Sequence, residues 1–167
     1  NNLEGAIGYS YSQYRLVADN QIGSADVDHG GWDRSDTPEL AMTGDLRIAS
    51  FNVLNFFTSV VGGDANPTGS NRGALTVSEF ELQRTKIVSA ITRLNADVVG
   101  LMEIENNGYG EHSAIANLVA ALNGALPDEA DHYAWVASPD GQPIGTDAIT
   151  VGLIYKPAKV QLAGGAE

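Results

Sequence analysis

The chain has 167 residues, which is enough for one domain with a substantial core and too few for two comfortable ones. Hydrophobic residues make up 43% of it, no apolar run reaches membrane-spanning length, and the absence of cysteine excludes disulfides and thiolate metal sites. The net charge of −12 disfavours unaided binding of nucleic acid, so a divalent cation would have to neutralise a phosphate substrate. Scattered acidic residues also favour a simpler interpretation, in which the charge only keeps the protein soluble.

The start of the chain differs from the rest in its composition and hydrophobic pattern. Ile7, Tyr9 and Tyr11 alternate with small or polar residues, which is a strand-like period of two. Residues 18–39 are dense in Asp, Asn, Gly and Ser and predict an irregular connector. We therefore predict that residues 1–44 form an irregular arm or the tail of an upstream domain. Because the chain lacks an initial Met and a charged-then-apolar leader, we expect a mature or excised piece.

The ordered part is predicted to span residues 45–167 and to follow an α/β pattern. A polar loop over residues 58–75 would be either a lid over a site or a surface excursion. Thr76 and Glu79 have the spacing of a capping box, which predicts a helix that ends near Asn95. The other predicted elements are strands over 46–52 and 98–103, a helix over 113–126, and strands over 133–137, 148–155 and 160–162. Of the last three strands, we expect the first two to form an antiparallel pair.

Two of these strands end on oxygen-bearing side chains. The first strand ends on Asn52, and the strand after the helix ends on Glu103. Strands joined by a helix are predicted to run parallel and to finish at the same sheet edge, where open α/β folds bind ligands. We therefore expect Asn52 and Glu103 to lie close together, where their oxygens suit a hard cation such as Mg²⁺. The simpler interpretations are that Glu103 emerges where its strand leaves the core, and that Asn52 ends its strand by turn bonding.

Other polar residues carry weaker signals. Asn55 follows the first strand, and Asp147 precedes a later strand, where it would lie at a sheet edge or form an Asx-type turn. Glu105 lies nearer the turn and is expected to be solvated, and Lys156 is expected to be a surface lysine. The three histidines lack a second His or Cys at metal-ligand spacing, and no nucleophile elbow, P-loop or dinucleotide fingerprint is present.

Several stretches together resemble the endonuclease/exonuclease/phosphatase superfamily, which includes the DNase I-like nucleases. The resemblance is carried by residues 46–55 (LRIASFNVLN), 83–88 (QRTKIV) and 97–103 (DVVGLME). The longer stretches 99–110 (VGLMEIENNGYG) and 145–157 (GTDAITVGLIYKP) are similar to its large secreted bacterial nuclease branch. The resemblance covers about residues 45–162, and within the arm residues 8–11 and 14–16 resemble the segment that precedes the catalytic domain in that branch.

The resemblance implies a fold, an activity and two site residues. The fold would be the first half of a four-layer α/β/β/α sandwich, and the activity would be metal-dependent phosphodiester hydrolysis of nucleic acid by an extracellular bacterial enzyme. In the family, a motif Asn and a motif Glu help to hold the divalent ion and to orient the scissile phosphate, and these positions match Asn52 and Glu103. The implied cation is Mg²⁺, with Mn²⁺ or Ca²⁺ as alternatives, and it would stabilise the transition state while an activated water attacks in line. Asn55 and Asp147 are substrate-side candidates.

The match to the family is incomplete. Its catalytic histidine, Asp-x-Asn motif and Ser-Asp-His motif lie downstream of the matched strands, and none of them follows those strands here. We therefore expect the isolated chain to hydrolyse DNA poorly, because general base catalysis is worth about a hundredfold or more.

The resemblance also predicts an uncovered apolar sheet face. We expect this face to contain Val99, Leu101, Val151 and Leu153, and to be covered by the protein's own C-terminal half or by a second copy. Nucleic acid is the expected substrate, and no membrane partner is expected. The alternative functions are a phosphodiesterase or phosphatase of the same superfamily acting on phospholipid or inositol phosphate, and a non-catalytic binding module with this fold.

Overall fold

The computed structural model describes residues 4–19, 21–23 and 43–164. The chain divides into two compact units, Asn1–Thr43 and Gly44–Glu167. Most of the predicted connector, residues 20 and 24–39, lies outside the described residues, so it stays a prediction. Within the described part, no helix is both long and apolar enough to cross a membrane.

The first unit contains a two-stranded antiparallel hairpin, within the segment predicted to be irregular. Its strands are β1 (Gly5–Ser10) and β2 (Gln13–Ala18). They are joined at Tyr11 and Ser12, whose φ angles of 50° and 60° are those of a tight hairpin turn. The alternation in the sequence therefore predicted the strand through Tyr9, but Tyr11 lies in the turn.

The second unit is built on a four-stranded mixed sheet with strand order β3-β4-β6-β5. The strands are β3 (Ile48–Phe56), β4 (Val98–Glu105), β5 (Ala134–Trp135) and β6 (Ile149–Tyr155). β3 and β4 run parallel, whereas β6 is antiparallel to both β4 and β5. The α/β class, the parallel β-α-β unit and the antiparallel later pair are thus confirmed.

The predicted strand over residues 160–162 is wrong. After β6 the chain turns back on itself, and the N–H groups of Lys159 and Val160 both donate to the carbonyl of Lys156. Pro157 has no N–H to offer a neighbouring strand, which favours a turn at this point. The sheet therefore ends at Tyr155.

Two helices connect the strands, and both follow the sequence signals for their ends. Helix α1 (Val77–Leu94) begins with a complete capping box, in which Thr76 and Glu79 each bond the other's backbone N–H. It ends at Asn95, whose left-handed conformation (φ 44°) lets its N–H close the last turn. Helix α2 (Ala114–Ala125) begins at Ser113, whose hydroxyl accepts from the N–H of Ala116.

Both helices pack on one face of the sheet and form a single core with it. The buried apolar side chains include Val53, Phe56, Phe80, Ile87, Ile91, Val99, Leu101, Ile104, Ile115, Leu118, Leu122 and Ile154. The opposite face is open in the described part of the unit, where Ile48 is 72% exposed and Val151 is 67% exposed. In a sheet that is covered on one face, side chains along each strand alternate between the buried face and the open face. The strands of this sheet show that alternation.

The composition predicted for the open face is wrong for two of its four residues. Val99 and Leu101 pair with Ile154 and Gly152 and share their face, which lies under the helices. Val151 and Leu153 lie between those β6 positions and therefore point to the other face, where they are exposed. Sequence hydrophobicity marked all four as apolar, but only the strand register decides which face each one occupies.

Lys156 is not the surface lysine that its position at a strand end suggested. It is 2% exposed, and its ammonium donates to the Asn95 side chain at 2.6 Å and to the Asp131 carboxylate at 2.7 Å. This hydrogen bond and the lysine charge lower the pKa of Asp131. Burial, with the charges of Asp97 and Asp131, raises the pKa of the nearby Tyr133 to about 12. The Lys156–Asp131 ion pair therefore lies at the end of the sheet where β4 begins and β6 ends.

Candidate functional site

Asn52 on β3 and Glu103 on β4 are in direct contact. The Asn52 side-chain nitrogen Nδ2 donates to the Glu103 oxygen Oε1 at 2.7 Å, although the two residues are 51 positions apart in sequence. The predicted proximity of these two side chains is therefore confirmed. Their roles in holding a cation or a phosphate remain predictions.

A β-bulge in β4 brings Glu103 to this position. Between Leu101 and Ile104, β4 has two residues opposite the single β6 residue Val151, and Glu103 takes a left-handed φ of 62°. Without the extra residue, period-two alternation would direct the Glu103 side chain to the core face, as it does Leu101. The bulge instead lets Glu103 meet Asn52 on the open side. An L-residue in this conformation is strained by about 1 kcal/mol or more, and such strain concentrates at functional sites.

A second irregularity in β3 holds Asn52. The pairing of β3 with β4 shifts between Asn52 and Phe56, and the intervening Leu54 and Asn55 both have left-handed φ angles of 55° and 51°. Just before this turn, the Leu54 N–H donates to the Asn52 side-chain oxygen Oδ1 at 2.7 Å, as in an Asx-type turn. Residues with left-handed φ angles therefore occur on both strands at this one amide–carboxylate contact.

The two contacts of Asn52 determine which way its amide points. Its nitrogen faces a carboxylate oxygen of Glu103, and its oxygen faces the N–H of Leu54. A flipped amide would place oxygen against oxygen and N–H against N–H, so only one orientation satisfies both partners. The amide keeps one N–H and one lone pair for a further ligand.

The chemistry of the pair fits a hard cation that binds with few protein ligands. Among the described residues, Glu103 accepts a hydrogen bond only from Asn52, so its second oxygen Oε2 remains open. No group of three or more His, Cys, Asp or Glu side chains suited to a metal occurs in that part of the chain. Mg²⁺ commonly binds through one or two carboxylates together with substrate phosphates and waters, which is compatible with a single carboxylate here.

The substrate-side candidates lie near this edge but do not join the pair. β6 is antiparallel to β4, so Asp147 lies at the end of the sheet where β4 ends. Its carboxylate contacts Arg72 at 2.9 Å and the N–H of Ala148 at 2.6 Å. Asn55 lies in the left-handed turn and lines a shallow groove between α1 and the loop that precedes it. In the described residues, no hydrogen bond connects either side chain to Glu103.

Glu105 is the residue that sequence reasoning misjudged most. It was expected to be solvated, but it is 2% exposed and carries no neighbouring cation in the described part. Its Oε2 accepts from the Thr58 N–H at 2.7 Å, and also from the Thr58 hydroxyl and the Asn107 amide, each at 3.2 Å. Its Oε1 accepts from Asn66 at 2.8 Å. Because every neighbour is a donor, the site is built to hold a carboxylate and is unsuited to a metal ion.

Contacts in both the outgoing and the returning half of the polar loop over residues 58–75 fix its position. Thr58 and Asn66 bond Glu105, and the returning leg packs so closely on β3 that a Cβ on Gly73 would lie 2.5 Å from the Asn55 carbonyl oxygen. Arg72 then bridges to Asp147. The hydrogen bonds thus favour a fixed wall beside the site over a lid that opens.

The two described histidines have other partners than the Asn52–Glu103 pair. The His132 ring contacts the Leu126 carbonyl at 3.0 Å, and His112 lies just before α2, where its carbonyl accepts from the N–H of Asp64. Neither ring has a hydrogen bond to Asn52 or Glu103. His29 lies outside the described residues.

Comparison with known proteins leaves the site to be interpreted on its own geometry. No family model matches the sequence, no curated protein is similar to it, and no solved structure matches the fold.

Proposed function

We propose that this chain carries the cation-binding part of a metal-dependent phosphodiesterase that acts on nucleic acid. The observation that carries the proposal is the 2.7 Å contact between Asn52 and Glu103, made by two strands that are each distorted at that point. A packing role alone does not explain why two strained bulges direct an amide and a carboxylate to the same exposed edge. The resemblance of residues 46–55 and 97–103 to the nuclease superfamily, which implies motif roles for Asn52 and Glu103, favours the same function.

The two side chains would have different tasks. Glu103 offers its open Oε2 to a divalent cation, for which Mg²⁺ is our first choice. When bound, the cation would supply positive charge to stabilise a phosphate in its transition state. Asn52 orients Glu103 through one amide hydrogen and keeps the other for a phosphate oxygen. Asn55 and Asp147 would lie on the substrate side of the pair.

We further propose that this unit is one half of a four-layer α/β/β/α sandwich of the DNase I-like type. The open sheet face, with Ile48 72% and Val151 67% exposed, supports this because large exposed apolar surfaces are normally covered by a partner. The partner would be a C-terminal half of the same protein or a second copy. That half would also supply the general base, so we expect the isolated chain to show little hydrolysis.

Titration of the chain with Mn²⁺, followed by electron paramagnetic resonance, tests the cation site. We expect binding by the wild-type chain and at least tenfold weaker binding by Glu103→Gln, because the open carboxylate oxygen is lost. The exposed Glu129→Gln makes the same change in charge elsewhere and should leave the affinity within twofold. Equal affinities for wild type and Glu103→Gln would overturn the proposal.

A second experiment tests the substrate class and the expected inactivity. In the presence of Mn²⁺, we expect a short oligonucleotide to bind more tightly than inositol phosphates or phospholipid vesicles, and its binding to depend on Glu103. Tighter binding of either lipid-derived ligand would favour the phosphoinositide or phospholipid alternative. Robust cleavage of DNA by the isolated chain with Mg²⁺ or Mn²⁺ would contradict the expected need for a second half.

A further inference from the structure

Gln83 on α1 contacts the distorted part of β3 in an unusual way. Its single amide nitrogen Nε2 donates to two successive backbone carbonyls, that of Val53 at 3.0 Å and that of Leu54 at 2.7 Å. In a regular strand, successive carbonyls point to opposite sides, so one side chain could not reach both. The left-handed φ of Leu54 turns them to the same side. Gln83 therefore recognises the distorted conformation of β3 and not the regular one.

The peptide unit between Val53 and Leu54 connects Gln83 with Asn52. Its carbonyl, that of Val53, accepts from Gln83, and its N–H, that of Leu54, donates to the Asn52 oxygen, while the Asn52 nitrogen donates to Glu103. Because a peptide unit is planar, the bond from Gln83 also helps to fix the direction of the Leu54 N–H. Leu54 is an L-residue in a conformation that its side chain disfavours, so surrounding contacts must maintain it, whereas Asn55 tolerates the left-handed region. The close approach of Gly73 to the Asn55 carbonyl supplies steric support, but Gln83 supplies the directional hydrogen bonds.

We propose that Gln83 is a positioning residue for the Asn52–Glu103 pair. It acts through the backbone of Val53 and Leu54 and does not touch the cation or the substrate itself. Groups behind a metal ligand that determine its orientation typically change metal affinity by 10–100-fold when they are removed. The inference rests on the proposed function only where it concerns the cation, since the orientation of Asn52 can be observed without one.

The variant Gln83→Met removes both donated hydrogen bonds while it keeps the side-chain length and a good helix former. We expect Mn²⁺ binding about tenfold weaker than in the wild type. We also expect the side-chain amide resonances of Asn52 to move in a nitrogen–proton NMR spectrum recorded without metal. The same substitution at Gln142, which is exposed in the loop between β5 and β6 and has no hydrogen bond to Asn52 or Glu103 among the described residues, should change neither measurement. Should the Met variant not fold, Gln83→Ala removes the same bonds in a helix position that tolerates alanine.

A double-mutant cycle separates positioning from a general effect on folding. If Gln83 acts through Asn52, then Gln83→Met should change Mn²⁺ affinity by less than about twofold once Asn52→Ala is present. If the two single-variant losses of Mn²⁺ affinity multiply in the double variant, the proposal is overturned, because Gln83 would then affect the affinity independently of Asn52. Unmoved Asn52 resonances in Gln83→Met would also overturn it. If the wild-type chain binds no Mn²⁺, the proposed function fails, and the NMR comparison alone decides the role of Gln83.

Discussion

Two glutamates on one strand, Glu103 and Glu105, differ in the number of hydrogen-bond donors that surround their carboxylates. Glu105 is 2% exposed and accepts four hydrogen bonds from three residues, Thr58, Asn66 and Asn107. Glu103 lies half-buried two residues earlier, with one donor, Asn52, and an open oxygen. A carboxylate saturated by donors stabilises the fold, whereas one left partly open on a strained backbone is available to a ligand. The number of donors around each carboxylate therefore distinguishes the two roles.

The largest effect on stability should come from Glu105. In Glu105→Gln, the new amide nitrogen must face donors whichever way it points, which leaves buried groups unsatisfied. We expect the free energy of unfolding to fall by about 2–3 kcal/mol, measured by urea denaturation. Mn²⁺ affinity of the folded fraction should stay within twofold of the wild type. A stable variant with lost Mn²⁺ binding would reverse the roles assigned to the two glutamates.

Backbone strain at Glu103 should be visible as a preference for glycine. Both Glu103→Ala and Glu103→Gly remove the side chain, but only glycine adopts a φ of 62° without strain. We expect the glycine variant to be more stable than the alanine variant by about 1 kcal/mol in urea denaturation. At Ser50, a regular strand position on β3, the order should reverse, because glycine weakens ordinary strands. The same order at both positions would argue against strain at the site.

Asp131 extends the comparison to a carboxylate paired with a cation. Lys156 lowers the folded-state pKa of Asp131, so the pair contributes stability above the unfolded-state value of about 4 and loses it as the pH falls through the folded-state pKa. We expect Asp131→Asn to be less stable than the wild type at pH 7, with the difference vanishing at acidic pH. Thermal unfolding across pH 2.5–7 would check this, and a difference independent of pH would contradict it.

The smallest effect should come from the bridge between Arg72 and Asp147. Both side chains are about half exposed, and solvated ion pairs contribute little to stability. We expect Arg72→Ala to lower the free energy of unfolding by less than about 1 kcal/mol, and the loss to shrink at high salt. If Arg72 instead contributes to substrate binding, oligonucleotide affinity should fall while stability stays nearly constant.

Local sequence signals predicted much of the fold because the forces they reflect are local. The capping box at Thr76, the left-handed stop at Asn95 and the cap at Ser113 all involve bonds within one helical turn. The prediction of a strand over 160–162 was wrong for a related reason. Alternation over only three residues is too weak a signal to outweigh the turn that follows Pro157. The pairing of Asn52 with Glu103 was predictable only because parallel β-α-β units bring their strand ends to one edge.

The sequence by itself determined the α/β class, the helix ends and the edge where an amide and a carboxylate converge. Only the tertiary structure decided which apolar residues face the core, that Glu105 and Lys156 are buried, and that Gln83 bonds the carbonyls of Val53 and Leu54. The physical reason is the distance along the sequence over which each kind of interaction acts. Periodicity and capping act over a few residues, whereas bulges, strand register and the donors around a buried charge come from segments about 40 to 60 positions apart in sequence.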